Sequence, residues 1–282
     1  TTGVVTAVAA NGFYLQDEAG DGDARTSDGI FVFTGSAPDV AVGDRANVGG
    51  QVAEYQGGAG ALTLTEIINP TVTVTASGVA LPATVLIGAN GVLPPSAVID
   101  DDGLTSFDPA TDGIDFWESL EGMRVTVETP QVVASTNNFG ETDVVASLGQ
   151  GATGVNDRGG ITISEGDYNP EKIQLDDGLL AGFNPDYTTG DQLSDVTGVV
   201  GYSFNFYEVL VTEAVTTTLD TTLEREVTDL VGDADSLTFA NYNMENLDAA
   251  EESTDGSFDR FDQLAADIVN NLRSPDIIAA QE

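Results

Sequence analysis

A chain of 282 residues has room for two modules at roughly 100 to 200 residues per domain, and its apolar and glycine content excludes wholesale disorder. Asp and Glu total 47 against 8 Lys and Arg, a formal net charge of -39, which argues against a surface that tracks phosphate by its own basic side chains. Cysteine is absent, so disulfides contribute nothing and stability rests on core packing and on ions.

Such an acidic surface repels itself at low ionic strength. Near 1 M salt the Debye length falls to about 3 Å and the repulsion is screened, so the charge reads as adaptation to brine or seawater. The alternative is a calcium-loaded extracellular protein whose bound ions neutralise part of the excess. Either way the expected place is outside the cell or at its surface, in a high-salt or marine setting. No apolar run reaches the ~18 residues of a membrane span, and none is expected. Thr1 opens directly in a strand-like pattern without a charged leader, so any signal peptide is expected to have been removed or not included.

In chain order, residues 3–9, 13–16, 29–33, 47–55 and 61–67 alternate apolar and polar side chains, separated by Gly, Asn and Asp. Period-two runs with regular turn residues predict a small antiparallel barrel or sandwich over 1–75. A Pro/Gly/Ala-rich stretch, 76–115, reads as a linker or insertion. Pattern resumes at Phe116-Trp117 and continues through 123–127, 131–135, 142–147, 172–175, 195–202 and 207–212, predicting a second β-rich module over 116–220.

A gap-free internal repeat links the two. Gly43-Asp44, Val52, Tyr55, Leu62, Leu64 and Thr65-Glu66 match Gly190-Asp191, Val199, Tyr202, Val209, Val211 and Thr212-Glu213. Tyr14-Leu15-Gln16-Asp17 loosely parallels Gln174-Leu175-Asp176-Asp177, which suggests one fold used twice, the second copy carrying insertions.

The last segment, 235–282, changes character. Residues 236–243 read as a buried strand, and Phe261, Leu264, Ala265, Ile268 and Leu272 are spaced as on a helix, with Ser257 as its expected cap. Pro275 ends that helix, and residues 277–280 form a second strand. Strand, helix, strand is a βαβ-type opening of an α/β domain.

The run Leu237-Thr238-Phe239-Ala240-Asn241-Tyr242-Asn243, then Arg260-Phe261, then Ser274-Pro275-Asp276-Ile277-Ile278-Ala279-Ala280-Gln281-Glu282, resembles the endonuclease/exonuclease/phosphatase family, the DNase I-like phosphoesterases. The resemblance implies that Asn243 is an active-site asparagine at the first strand's end and that Glu282 binds the catalytic metal, magnesium or manganese. A hard divalent cation wants oxygen ligands, and a neutral amide can orient phosphate without adding negative charge. The family completes its site with later Asp, Asn and His residues, and this chain has no histidine, so it is expected to carry an incomplete, inactive catalytic domain.

The preceding modules resemble the OB-like domains found ahead of such domains in bacterial extracellular nucleases, on the residues Asn11-Gly12-Phe13-Tyr14-Leu15-Gln16-Asp17 and Trp117-Glu118-Ser119-Leu120-Glu121-Gly122-Met123. In that reading Phe13, Tyr14, Phe31 and Phe33, or Phe204, Phe206 and Tyr207, either stack bases or pack the core and rim. Asp17, Asp21 and Asp23 are candidate calcium ligands, with solvated loops as the alternative. The expected function is the N-terminal part of a secreted, metal-dependent nuclease or phosphodiesterase acting on extracellular DNA or RNA. The competing reading is an extracellular acidic binding or assembly module without catalysis.

Overall fold

The computed structural model describes residues 1–230, 232–254 and 256–282. The chain is mainly β and divides into two compact units, Thr1–Thr222 and Leu223–Glu282. Among the described residues no helix is long and apolar enough to cross a membrane.

The first unit begins with β1 (Thr2–Ala9), β2 (Gly12–Gln16), β3 (Gly29–Phe33), β4 (Arg45–Gln56) and β5 (Thr63–Ala76), which close into a barrel in the order β1-β2-β3-β5-β4. All neighbours are antiparallel except β3 and β5, which run parallel, and β1 closes the ring on β4. Period-two alternation explains the lining: Val5, Phe13, Leu15, Val32, Ala46, Val48 and Ile67 point inward and are buried.

The stretch read as a linker is partly built into the fold. It contributes β6 (Val85–Ile87), parallel to β7 (Arg124–Val127), and leads into the short helix α1 (Gly113–Glu118). Next come β8 (Gln131–Ala134), β9 (Thr142–Val145), β10 (Ile173–Asp176), β11 (Gln192–Leu193), β12 (Val196–Ser203), β13 (Phe206–Val211) and β14 (Thr217–Leu219). They form one sheet in the order β14-β11-β8-β9-β10-β13-β12-β7-β6. The long insertion between β9 and β10 carries no named strand.

This sheet repeats the first circuit. β7 pairs with β12 and β8 with β9, as the two halves of β1 pair with β4 and β2, and β10 runs parallel to β13 as β3 does to β5. The first strand of the second circuit is interrupted at 128–130, where Thr129 takes a positive φ of 32° and Pro130 offers no N–H to a ladder. Inside lie Val125, Val127, Val132, Val144, Ile173, Leu175, Val196, Val200, Val209 and Val211, capped by Phe116 and Trp117 from α1. Trp117 buries its ring and still donates its indole N–H to the Pro170 carbonyl at 3.1 Å.

The repeat holds for the order of strands and fails for residue register. Val52 lies opposite Ile67, a core residue, whereas Val199 lies opposite Leu210, and both of these face away from their own core. The inward pair is Val200 with Val209. The hairpins differ in length: residues 57–62 join β4 to β5, but only Phe204 and Asn205, at φ of 46° and 74°, join β12 to β13. Two left-handed residues form the tight primed turn that suits twisted strands. Tyr14 and Gln174 fall on the second and third strands of their circuits, so they are not equivalent.

The barrel and the nine-stranded sheet are packed together within this unit. Ala7, Tyr14 and Phe31 on the outside of the barrel meet Val199 on the outer face of the sheet. The Leu62 N–H donates to the Tyr202 hydroxyl at 3.0 Å, and the Arg124 N–H donates to the Gln16 side chain at 2.9 Å. Backbones touch at Gly29, where a Cβ would sit 2.4 Å from the carbonyl of Gly122, so neither side tolerates a larger residue there without shifting.

The second unit contains β15 (Phe239–Asn243) and β16 (Ile277–Gln281), paired in parallel and joined by α2 (Arg260–Ala266), which continues as a π-helical turn over Asp267–Asn271. The helix starts later than its spacing predicts. Asp259, not Ser257, is the cap: its carboxylate accepts from the Asp262 N–H at 3.0 Å, and Asp262 returns the bond to the Asp259 N–H. No described residue of this unit is buried, so the strand at 236–243, expected to be buried, is half-covered at most.

Candidate functional site

The residues that carry the phosphoesterase resemblance sit at the two ends of the β15/β16 pair. At the entry end, the Asp276 carboxylate accepts from the Thr238 N–H at 2.9 Å and from the Thr238 hydroxyl at 3.0 Å, while that hydroxyl accepts from the Asp276 N–H at 3.0 Å. These donors favour the ionised form and hold the Asp276 carboxyl below the usual carboxylate range. This closed set of bonds fixes the register of the parallel strands, Phe239 opposite Ile277 and Asn243 opposite Gln281.

At the exit end the register leaves Asn243 and Glu282 one residue apart along neighbouring strands, at the carboxyl edge of the pair. The Met244 N–H donates to the Gln281 carbonyl at 2.7 Å, and the Leu247 N–H donates to the Glu282 carbonyl at 3.0 Å, so the chain after β15 stays laced to the end of β16. Asn243 Oδ1 accepts from the Glu245 N–H at 2.6 Å. That bond orients the amide and leaves Nδ2 as a donor, which suits an anionic oxygen.

The turn that follows has Glu245 and Asn246 at positive φ, 53° and 57°. Arg260, in the first turn of α2, clamps it by donating to the Glu245 carbonyl at 2.7 Å and to the Met244 carbonyl, while its other nitrogen pairs with Glu251 at 2.8 Å. The sequence identified Arg260 only as part of the resembling run; its role as the brace of the asparagine turn shows only in the fold. Beneath it, the Tyr242 hydroxyl donates to Asp267 at 3.0 Å, and Asp267 also pairs with Arg225. A cavity of about 280 Å³ beside this brace has Asn243 in its wall but not Glu282.

Among the described residues no three His, Cys, Asp or Glu side chains gather as a metal cluster. Magnesium, however, characteristically takes one or two carboxylates and fills its remaining positions with water and substrate phosphate. Glu282 offers one exposed carboxylate of that kind, so the donor chemistry present fits a share of a magnesium site.

The candidate calcium ligands are each turned to the backbone of their own loop. Asp17 accepts from Ala19 N–H at 2.8 Å, Asp21 from Asp23 N–H at 2.8 Å and Thr26 hydroxyl at 2.9 Å, and Asp23 from Arg25 N–H at 3.0 Å. These bonds shape the loop and lower the Asp21 carboxyl below its ordinary range, its backbone partner first. The aromatic candidates divide. Phe13 lies inside the barrel, and Tyr14 and Phe31 are buried between the barrel and the nine-stranded sheet with ring centroids 5.0 Å apart, while Phe204 is 87% exposed.

No match was found among curated proteins or solved structures. Residues 86–220, from β6 through β14 and so across the whole second circuit with its insertion, match the model of a family described as a domain of unknown function (DUF8508).

Proposed function

We propose that this chain is the N-terminal part of a secreted, metal-dependent nuclease or phosphodiesterase acting on extracellular DNA or RNA in a high-salt setting. Two OB-like modules precede a DNase I-like phosphoesterase domain that opens at about residue 235. The observation that carries the reading is the parallel β15/β16 pair with its helical crossover, which brings Asn243 and Glu282 to one carboxyl edge. That edge is where open α/β sheets bind ligands. Glu282 would hold the divalent ion, which polarises a phosphoryl oxygen and activates water; the free Nδ2 of Asn243 would orient the phosphate.

The strand circuit β1-β2-β3-β5-β4, closed by β1 on β4 and repeated in the second module, supports the OB-like reading. Arg45 is engaged by Glu18 at 2.6 Å and Arg124 by Glu213 at 3.1 Å, which agrees with modules that position the catalytic domain rather than grip phosphate themselves.

The test is cleavage of supercoiled plasmid by the full-length protein in molar salt, with magnesium and with a chelator. Cleavage should need the metal and fall about 100-fold or more in Glu282→Gln and in Asn243→Ala. Undiminished cleavage in Glu282→Gln, or no metal-dependent cleavage at all, overturns the assignment.

A further inference from the structure

Between the barrel and the nine-stranded sheet of the first unit lies an open cavity of about 390 Å³, within the range of small-ligand sites. Its walls combine two features that a packing interface does not need. One is a set of aromatic rings: Tyr14 and Phe31, 5.0 Å apart, with Tyr55 and Tyr202 nearer the mouth. The other is a pair of carboxyl groups, Glu66 from β5 and Glu208 from β13, the strands that hold the same place in the two circuits.

Glu66 is 7% exposed and has no hydrogen-bond or ionic partner among the described residues. Glu208 is 5% exposed and receives one bond, from the Ser203 hydroxyl at 3.1 Å. No lysine or arginine lines the cavity. Ionised carboxyl groups so little exposed and without a counter-charge are disfavoured, and a leucine at either position would avoid that cost. The missing complement is therefore a positive charge brought from outside, carried by a molecule whose apolar groups suit ring faces. Ring quadrupoles attract the same kind of ligand.

We infer that the cleft between the barrel and the nine-stranded sheet binds a small organic cation of the alkylammonium class, its charge held by Glu66 and Glu208 and its alkyl groups against Tyr14, Tyr55 and Tyr202. The inference concerns residues 1–222 alone and stands or falls independently of the nuclease reading.

Burial pushes the Glu208 carboxyl up to about 8, helped by Asp176 on β10 and by Glu141 ahead of β9. Tyr14 faces it from β2 as a neutral phenol that burial raises further, and Glu66 lies in the same cavity wall. A bound cation favours ionised Glu208, so binding should release a proton below pH 8 and tighten as pH rises from 6 to 9.

Calorimetry of the full chain in molar sodium chloride tests this with choline as probe and 3,3-dimethyl-1-butanol as its neutral isostere. Saturable choline binding is expected, at least 10-fold weaker for the isostere and at least 10-fold weaker in Glu66→Gln and Glu208→Gln, with the pH dependence lost in the latter. Should a glutamine variant fail to fold, Tyr55→Ala at the exposed mouth is expected to weaken choline by several-fold. Absence of choline binding, equal binding of the isostere, preference for a neutral sugar such as glucose, or choline affinity unchanged in folded variants each overturns the proposal.

Discussion

Residues 1–222 and 223–282 reach defined geometry by opposite means. The first unit buries three apolar clusters and lets the barrel and the nine-stranded sheet share a face. In the second no described residue is buried, and Leu237, Phe239 and Phe258 are more than 60% exposed, yet its strands are registered by the Thr238/Asp276 bonds, its helix by an Asp259/Asp262 box and its exit turn by Arg260. Polar bonds can fix local register, but apolar burial supplies most of the stabilisation. The first unit should therefore unfold cooperatively and the second should open locally at low cost.

The largest expected effect tests that contrast directly. Trp117→Ala should remove about 3–5 kcal/mol from the first unit, enough to shift its thermal transition sharply in molar salt. Phe239→Ala, another aromatic truncation but at an exposed position, should leave that transition in place. Equal shifts in calorimetry would erase the distinction.

A second test uses pH, because among the described residues only the first unit holds carboxyl groups that burial pushes strongly up. Glu121 is pushed up to about 7 and Glu208 to about 8, burial being the first cause in each. Their folded forms hold protons that the unfolded chain releases near 4.5, so the first unit loses stability as pH rises from about 4.5 to 8 and levels off above. A fall in Tm of roughly 5–10 °C across that window is expected. Glu121→Gln should flatten part of it. In the second unit Asp259 and Asp276 are held low by backbone donors, so their contribution is full above the ordinary aspartate range and is lost as pH falls below it. Amide protection factors in β15 and α2, referred to the intrinsic exchange rate at each pH, should accordingly fall on acidification.

The smallest effect sharpens the picture of the second unit. Asp259→Ala should cost about 1 kcal/mol, seen as faster amide exchange at the start of α2, while the Ser257→Ala change should do little. The reverse ranking would restore Ser257 as the helix cap.

Much of the β content was legible because a strand with one buried face writes itself as alternation. The expected runs in both modules overlap β1 to β5, β7 to β10, β12 and β13, although β5 continues to Ala76, well past its expected end at 67. Strands of two or three residues, β6, β11 and β14, carry too few positions to show a period. Register was legible only in part, because a gap-free repeat cannot register a hairpin of different length, and a slip of one residue exchanges inside for outside, as Val199 and Val200 show. At the strand ends, Asn243 and Glu282 were identifiable from a linear run. Arg260's clamp, and the placing of Glu66 and Glu208 in one cavity wall, depend on residues far apart in sequence and could be found only in space.

The break at 128–130 has a mechanical consequence. By releasing β8 from the line of β7, it frees an edge that β11 takes, and β11 in turn holds β14, the last strand before residue 223. Tension applied from the C-terminal side thus reaches a three-residue, exposed ladder before it reaches the long central strands of the sheet or the closed barrel. That strand would peel away first and lengthen the tether, sparing the rest of the unit from load much as a shear pin spares a gearbox.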